Sequence, residues 1–254
     1  MQEKPGLEET LELMKDLRQR CEWDAAQTHE SLRPYLIEEA YEVDDAIRSG
    51  NDQLLREELG DLLLQVLFHS VVAEERGAFD FSEVAEGFLR KMKTRHPHLY
   101  AGGERQSWEG MKAKKRASIV DGLPADLPSL HRAFRLQDRA AGVGFDWPDA
   151  IGPAAKIEEE LAEVRAEVDR AAAPDAHGVP DPLLEAELGD LLFSVVNLCR
   201  KLGVHPSLAL DKANVKFAER FQAVERLARE RDIDVTSAGL EKLDALWDEA
   251  KKSR

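Results

Sequence analysis

Glu38-Glu39-Ala40-Tyr41-Glu42 and Glu57-Glu58-Leu59-Gly60-Asp61 are two acidic runs separated by the turn-forming stretch Ser49-Gly50-Asn51-Asp52. Helical residues three or four apart share a face, so Glu39 with Glu42 and Glu58 with Asp61 each project two carboxylates in one direction. Two such helices packed antiparallel converge four carboxylates. Left alone, these groups repel one another and pay for desolvation, so the arrangement makes sense mainly when cations occupy it. Hard oxygen ligands without Cys or His favour magnesium, manganese or calcium.

The signature occurs a second time, as Glu159-Glu160-Leu161-Ala162-Glu163 followed by Glu187-Leu188-Gly189-Asp190. Glu38 to Val43 matches Glu159 to Val164 at an offset of 121, and Glu58 to Leu63 matches Glu187 to Leu192 at 129. Lys91 and Arg95 match Lys216 and Arg220 at 125, and Trp108 with Lys112 resembles Trp247 with Lys251 at 139. Offsets that change only across expected loops are those of a duplicated domain with loop insertions.

Segments between the glycine- and proline-rich boundaries are dominated by Ala, Leu, Glu, Lys and Arg, the composition of helices. The expectation is an all-α protein of two tandem helical-bundle domains, each with a four-helix core. Helices are expected near residues 7–20, 31–48, 52–76 and 81–95, the last opened by an Asp80-Phe-Ser-Glu83 capping box. The second half repeats the plan near 129–140, 149–172, 182–202 and 206–231, with a short helix over 237–252. Two prolines and a glycine break the chain at residues 121–128, giving domains 1–120 and 129–254 joined by that linker.

The formal charge of −15, from 50 acidic against 35 basic residues, argues against nucleic acid or an anionic membrane as partner. Only Cys21 and Cys199 are present, so a disulfide scaffold is not expected and a reducing cytoplasm is the simpler setting. The longest apolar runs are too short to span a bilayer, and the amino terminus has no apolar signal core.

A carboxylate cluster that holds hard cations implies a phosphate partner, because triphosphates bind the same ions through oxygen. Lys216 with Arg220, and Lys91 with Arg95, each present two cations from one helical face toward such a partner. Trp247 or Trp108 offers a flat surface on which a nucleobase can stack, although a Trp at helical spacing from Leu243 also suits a core. None of the seven histidines lies three residues after a glutamate, so the Glu-x-x-His pair of four-helix di-iron proteins is missing. No Gly-x-x-x-x-Gly-Lys-Ser/Thr loop occurs.

With these motifs in place, the chain resembles the MazG family of the all-α NTP pyrophosphatase superfamily over nearly its whole length. Further segments carry the resemblance: Cys21-Glu-Trp23-Asp24-Ala-Ala-Gln27-Thr28, Arg95-His-Pro-His98, Val143-Gly-Phe-Asp146-Trp147 and Lys212-Ala-Asn214-Val-Lys216-Phe. The resemblance implies magnesium-dependent hydrolysis of a normal or damaged nucleoside triphosphate to monophosphate and pyrophosphate, with manganese as a possible substitute, and it implies a homodimer. It places the activity in the carboxy-terminal half, with Glu160, Glu163, Glu187 and Asp190 as metal ligands, Lys216 and Arg220 on phosphates, Trp247 on the nucleotide and Glu159 on the attacking water. Glu39, Glu42, Glu58 and Asp61, with Glu38, Lys91 and Arg95, are the corresponding set in the first half.

One position departs from the pattern: Ala186 stands where the first half has Glu57. The Glu187–Asp190 pair survives this change, but a water-positioning role for the missing glutamate does not, and the first site is expected to be active too. A nucleotide sensor or a helical interaction protein without turnover is the competing class.

Overall fold

The computed structural model describes residues 6–103, 116–170 and 181–252. Among these the chain is all-α, with no strand, and it divides into two compact units, Met1–Arg105 and Gln106–Arg254. Trp108 and Lys112 lie outside the described residues.

The first unit contains α1 (Leu7–Arg20), α2 (Glu22–Ala26), α3 (His29–Ser49), α4 (Asp52–Glu75), α5 (Phe81–Arg95) and α6 (Pro97–Tyr100). Its central feature is the α3–α4 hairpin. Gly50 closes α3 in the left-handed region at φ 66°, a conformation that costs glycine nothing, and the Asn51 side chain accepts hydrogen bonds from the Gln53 and Leu54 amides. The core forms around Met14, Leu32, Leu67, Phe68, Val71 and Val72. All of the α4 contributions come from its second half, so the first half, bearing Glu58 and Asp61, is left free of the core.

Two local features differ from the sequence expectation. α3 begins two residues earlier, because Thr28 and Ser31 form a reciprocal capping box in which a serine does the work usually given to Glu or Gln. The short helices α2 and α6 were not anticipated. α2 is held by Arg18, whose guanidinium donates to the carbonyls of Asp24 and Gln27 while pairing with Glu75 and lying 5.7 Å from the Phe68 ring centroid.

The second unit contains α7 (Ser129–Gly142), α8 (Ile151–Arg170), α9 (Pro182–Lys201), α10 (Pro206–Glu230) and α11 (Leu240–Lys252). α8 and α9 form the counterpart of the α3–α4 hairpin, and α7 packs on α9. α10 and α11 close a separate apolar cluster of Val224, Ala228, Leu246 and Ala250. The stretch before α7 is tied to that helix: buried Arg139 donates to the carbonyls of Ile119 (2.7 Å), Asp121 (3.0 Å) and Gly122 (3.4 Å).

Candidate active site

α3 and α4 bring Glu39, Glu58 and Asp61 together, with one carboxylate oxygen of each within 4.8 Å of the others. The fourth expected ligand, Glu42, faces the same cluster electrostatically. The Glu39 carboxyl is pushed above the usual range, first by desolvation and then by the charges of Asp61, Glu42, Glu58 and Glu38. Glu58 is raised in the same way, by desolvation and by Glu42, Asp61 and Glu57. Glu38 itself is exposed beside the cluster.

The second unit repeats this arrangement with one addition. Oxygens of Glu160, Glu163 and Glu187 lie within 4.8 Å of one another, and Glu160 is buried. Lys156, one turn before Glu160 on α8, places its ammonium 2.6 Å from Glu160 and 2.8 Å from Glu159. Both carboxylates hold the Lys156 proton more tightly than usual. Desolvation and the charges of Glu160 and Glu187 push the Glu163 carboxyl up, while Lys156 pulls it back. An all-oxygen donor set whose members destabilise one another's charge fits a hard divalent cation in both units.

The second cluster opens on a cavity of about 550 Å³. Asp190 joins Lys156 and Glu160 in its lining, together with the apolar and aromatic side chains of Leu136, Phe145, Trp147 and Phe193. The Val143–Trp147 loop is fixed from below by α9. Asp146 accepts from Arg200 and from Lys201 (3.1 Å), and Lys201 also donates to the Trp147 carbonyl at 2.6 Å. These cations hold the Asp146 carboxyl below its usual range. The cavity lining mixes apolar and aromatic side chains with the charged Lys156, Glu160 and Asp190, the composition expected of a small-molecule pocket.

A family model described as the MazG nucleotide pyrophosphohydrolase domain matches residues 27–100, the stretch that contains the first cluster. A nucleoside triphosphate pyrophosphohydrolase/pyrophosphatase MazG of Thermotoga maritima is 45% identical over 254 residues, which span 96% of this chain and 95% of that protein. This chain belongs to the MazG family. A nucleoside triphosphate pyrophosphohydrolase of Escherichia coli K12 is 40% identical over 255 residues, spanning 95% of this chain and 94% of its own. The MazG relationship therefore extends across both units.

The remaining expected MazG residues stand apart from the cavity lining. Lys216 is exposed on α10, and Arg220, one turn on, lies with its guanidinium 6.0 Å from the Trp247 ring centroid. Trp247 on α11 is half-buried against the α10–α11 cluster and packs on Phe217 at 5.2 Å, so core and cation contacts both use it. In the first unit Lys91 is exposed on α5 and Arg95 is its half-buried last residue. Sequence reading missed Lys156, and it used the Val143–Trp147 segment only for the family resemblance, without a role in the site. Lys156 has the i, i+4 spacing of an ordinary surface ion pair, and only the burial of Glu160 distinguishes it. No described helix is long and apolar enough to cross a membrane.

Proposed function

We propose that the chain hydrolyses normal or damaged nucleoside triphosphates to monophosphate and pyrophosphate by magnesium-dependent attack of water at the α-phosphorus. The observation that carries this reading is the buried Glu160 cluster opening, with Asp190 and Lys156, on a nucleoside-sized cavity. The names of the relatives support the same reaction class.

Glu160, Glu163, Glu187 and Asp190 are the residues that would hold the cation, with manganese as an alternative to magnesium. When bound, a divalent ion supplies charge neutralisation on the triphosphate and acidifies a coordinated water. Lys156 is shared between Glu159 and Glu160. An arriving triphosphate offers that ammonium stronger partners, and Glu159 then has a free carboxylate oxygen to accept the proton of the attacking water. Lys216 and Arg220 contribute positive charge for the phosphates from α10, and Trp247 supports the nucleotide end by holding the Arg220 guanidinium. In the first unit, Glu39, Glu42, Glu58 and Asp61 would hold the ion, Glu38 takes the place of Glu159, and Lys91 and Arg95 face the phosphates.

The exposed leucines on both acidic hairpins, Leu59, Leu63 and Leu64 on α4 and Leu188 and Leu192 on α9, support a homodimer that covers them. The acidic balance supports a protein that binds neither nucleic acid nor a membrane, and the two unbridged cysteines support a reducing cytoplasm. Ala186 favours a second reading for the second unit alone, a nucleotide sensor without turnover. Measuring pyrophosphate release by Glu42→Gln and Glu163→Gln separately tests both: turnover lost only in Glu42→Gln assigns catalysis to the first unit, and full activity in the double variant contradicts the proposal.

A further inference from the structure

Lys156 reaches two carboxylates at once, 2.6 Å from Glu160 and 2.8 Å from Glu159. The Glu160 side chain is 5% exposed and the Lys156 side chain 36%, so an ammonium in touch with solvent neutralises the most deeply placed carboxylate of its cluster. The residue 121 positions earlier, one turn before Glu39 on α3, is Tyr35, whose ring packs edge-on against Trp23 at 6.1 Å. The charges acting on Glu39 are those of Asp61, Glu42, Glu58 and Glu38, and those acting on Glu58 come from Glu42, Asp61 and Glu57, all negative. At Glu163, by contrast, the positive charge of Lys156 is set against Glu160 and Glu187. The two carboxylate sets therefore meet a cation from solution differently. The first has repulsion to relieve, and the second already holds a positive charge that a divalent ion has to displace or sit beside.

We propose that Lys156 is a tethered counterion that sets the order of metal loading: the first cluster takes a divalent cation from solution unaided, whereas the second takes one only weakly until an anionic ligand draws the ammonium off Glu160. The inference rests on the reading that both clusters hold a divalent cation and that the second receives a triphosphate. An ammonium at hydrogen-bond distance repels an incoming dication and occupies an oxygen that the ion needs. Phosphate oxygens give Lys156 charge-assisted partners outside the cluster, and Glu160 then rejoins an all-oxygen donor set. Metal and triphosphate thus help one another into the second site, so that it fills only when its ligand is present. The first cluster needs no such coupling, because Tyr35 brings no ammonium to remove.

The test is equilibrium dialysis of manganese against the full chain, where protein-bound metal is the difference between the two chambers whether it arrives as the free ion or with a ligand. The wild type is expected to show two classes of site that differ on the order of tenfold, the scale of one charge at the edge of a half-exposed cluster. Glu58→Gln should remove the tight class and Glu163→Gln the weak one. Lys156→Met should tighten the weak class toward the other, with Lys156→Gln as the second variant should the first fold poorly. The reciprocal Tyr35→Lys, at a position 40% exposed, should weaken the tight class. In the Glu58→Gln background at low free manganese, an α,β-methylene nucleoside triphosphate, which cannot be cleaved between its first two phosphorus atoms, should raise bound metal steeply. Adding Lys156→Met to that background should place metal on the chain before the analogue is supplied. Equal affinity of the two clusters in the wild type, or a weak class unchanged in both Lys156 variants, overturns the counterion while leaving the cation and nucleotide readings intact. A wild type that binds no manganese at either cluster overturns the cation reading and the counterion together.

Discussion

Lys156 Nζ stands 2.6 Å from Glu160 Oε1, so the second carboxylate cluster contains its own ammonium, whereas the corresponding residue of the first, 121 positions earlier, is Tyr35. Two clusters of the same ancestry therefore differ in electrostatics. The first leaves its charges to repel, and the second offsets part of that repulsion internally. Lys156→Met should lower the melting temperature in the presence of a chelator, because it strands a buried carboxylate, and saturating magnesium should recover most of the loss. Thermal melts with and without magnesium check this; equal melting of variant and wild type in chelator would show that Lys156 is an idle surface cation.

Divalent metal should stabilise the folded chain by about 2.7 kcal/mol at a hundredfold excess over Kd, through simple mass action. Glu58→Gln and Glu163→Gln remove one repelling charge each, so both should melt higher than wild type in chelator and gain less from magnesium. A variant that gains as much as wild type from the metal is not missing a ligand.

The Asp146 carboxylate is held down by Arg200 and Lys201, and its side chain is largely covered. A depressed carboxyl contributes stability that is present above its unfolded value and lost as pH falls through the folded one. Asp146→Asn should cost about 1 kcal/mol at pH 7, as for a partly buried charged pair. The gap from wild type should stay constant down to about pH 5 and close below the ordinary aspartate value of about 3.9. Urea unfolding of the two proteins across that range measures it.

Gly152→Ala places a methyl inside the Trp147 ring position. The ring has to leave, at a cost of about 1–3 kcal/mol for an overpacked contact, and the cavity wall leaves with it. The expected kinetic signature is a raised KM with kcat changed little, read from steady-state rates at saturating magnesium.

The helical frame was legible because its signals are local. The Asp80–Glu83 capping box predicted from four residues is present, and α1, α4 and α5 fall within a residue or so of their expected ends. The Glu39 and Glu58 faces followed from the helical period alone. The cavity did not, since it joins the α7 core face, the loop at Phe145–Trp147 and the α9 residue Phe193, which no spacing rule connects. Lys156 was hidden for a different reason: its role depends on Glu160 being buried, and burial is a property of packing. The tie from Arg139 back to Asp121 and Gly122, in the proline-broken stretch, was out of reach for the same reason.

The most direct measurement is product identification after incubating wild type, Glu42→Gln and Glu163→Gln with magnesium and a panel of normal and modified nucleoside triphosphates. Water attacking the α-phosphorus yields monophosphate and pyrophosphate in equal amounts from the wild type, with turnover sharply reduced in at least one variant. Diphosphate and inorganic phosphate as products, or full turnover in a variant lacking both Glu42 and Glu163, would contradict the account.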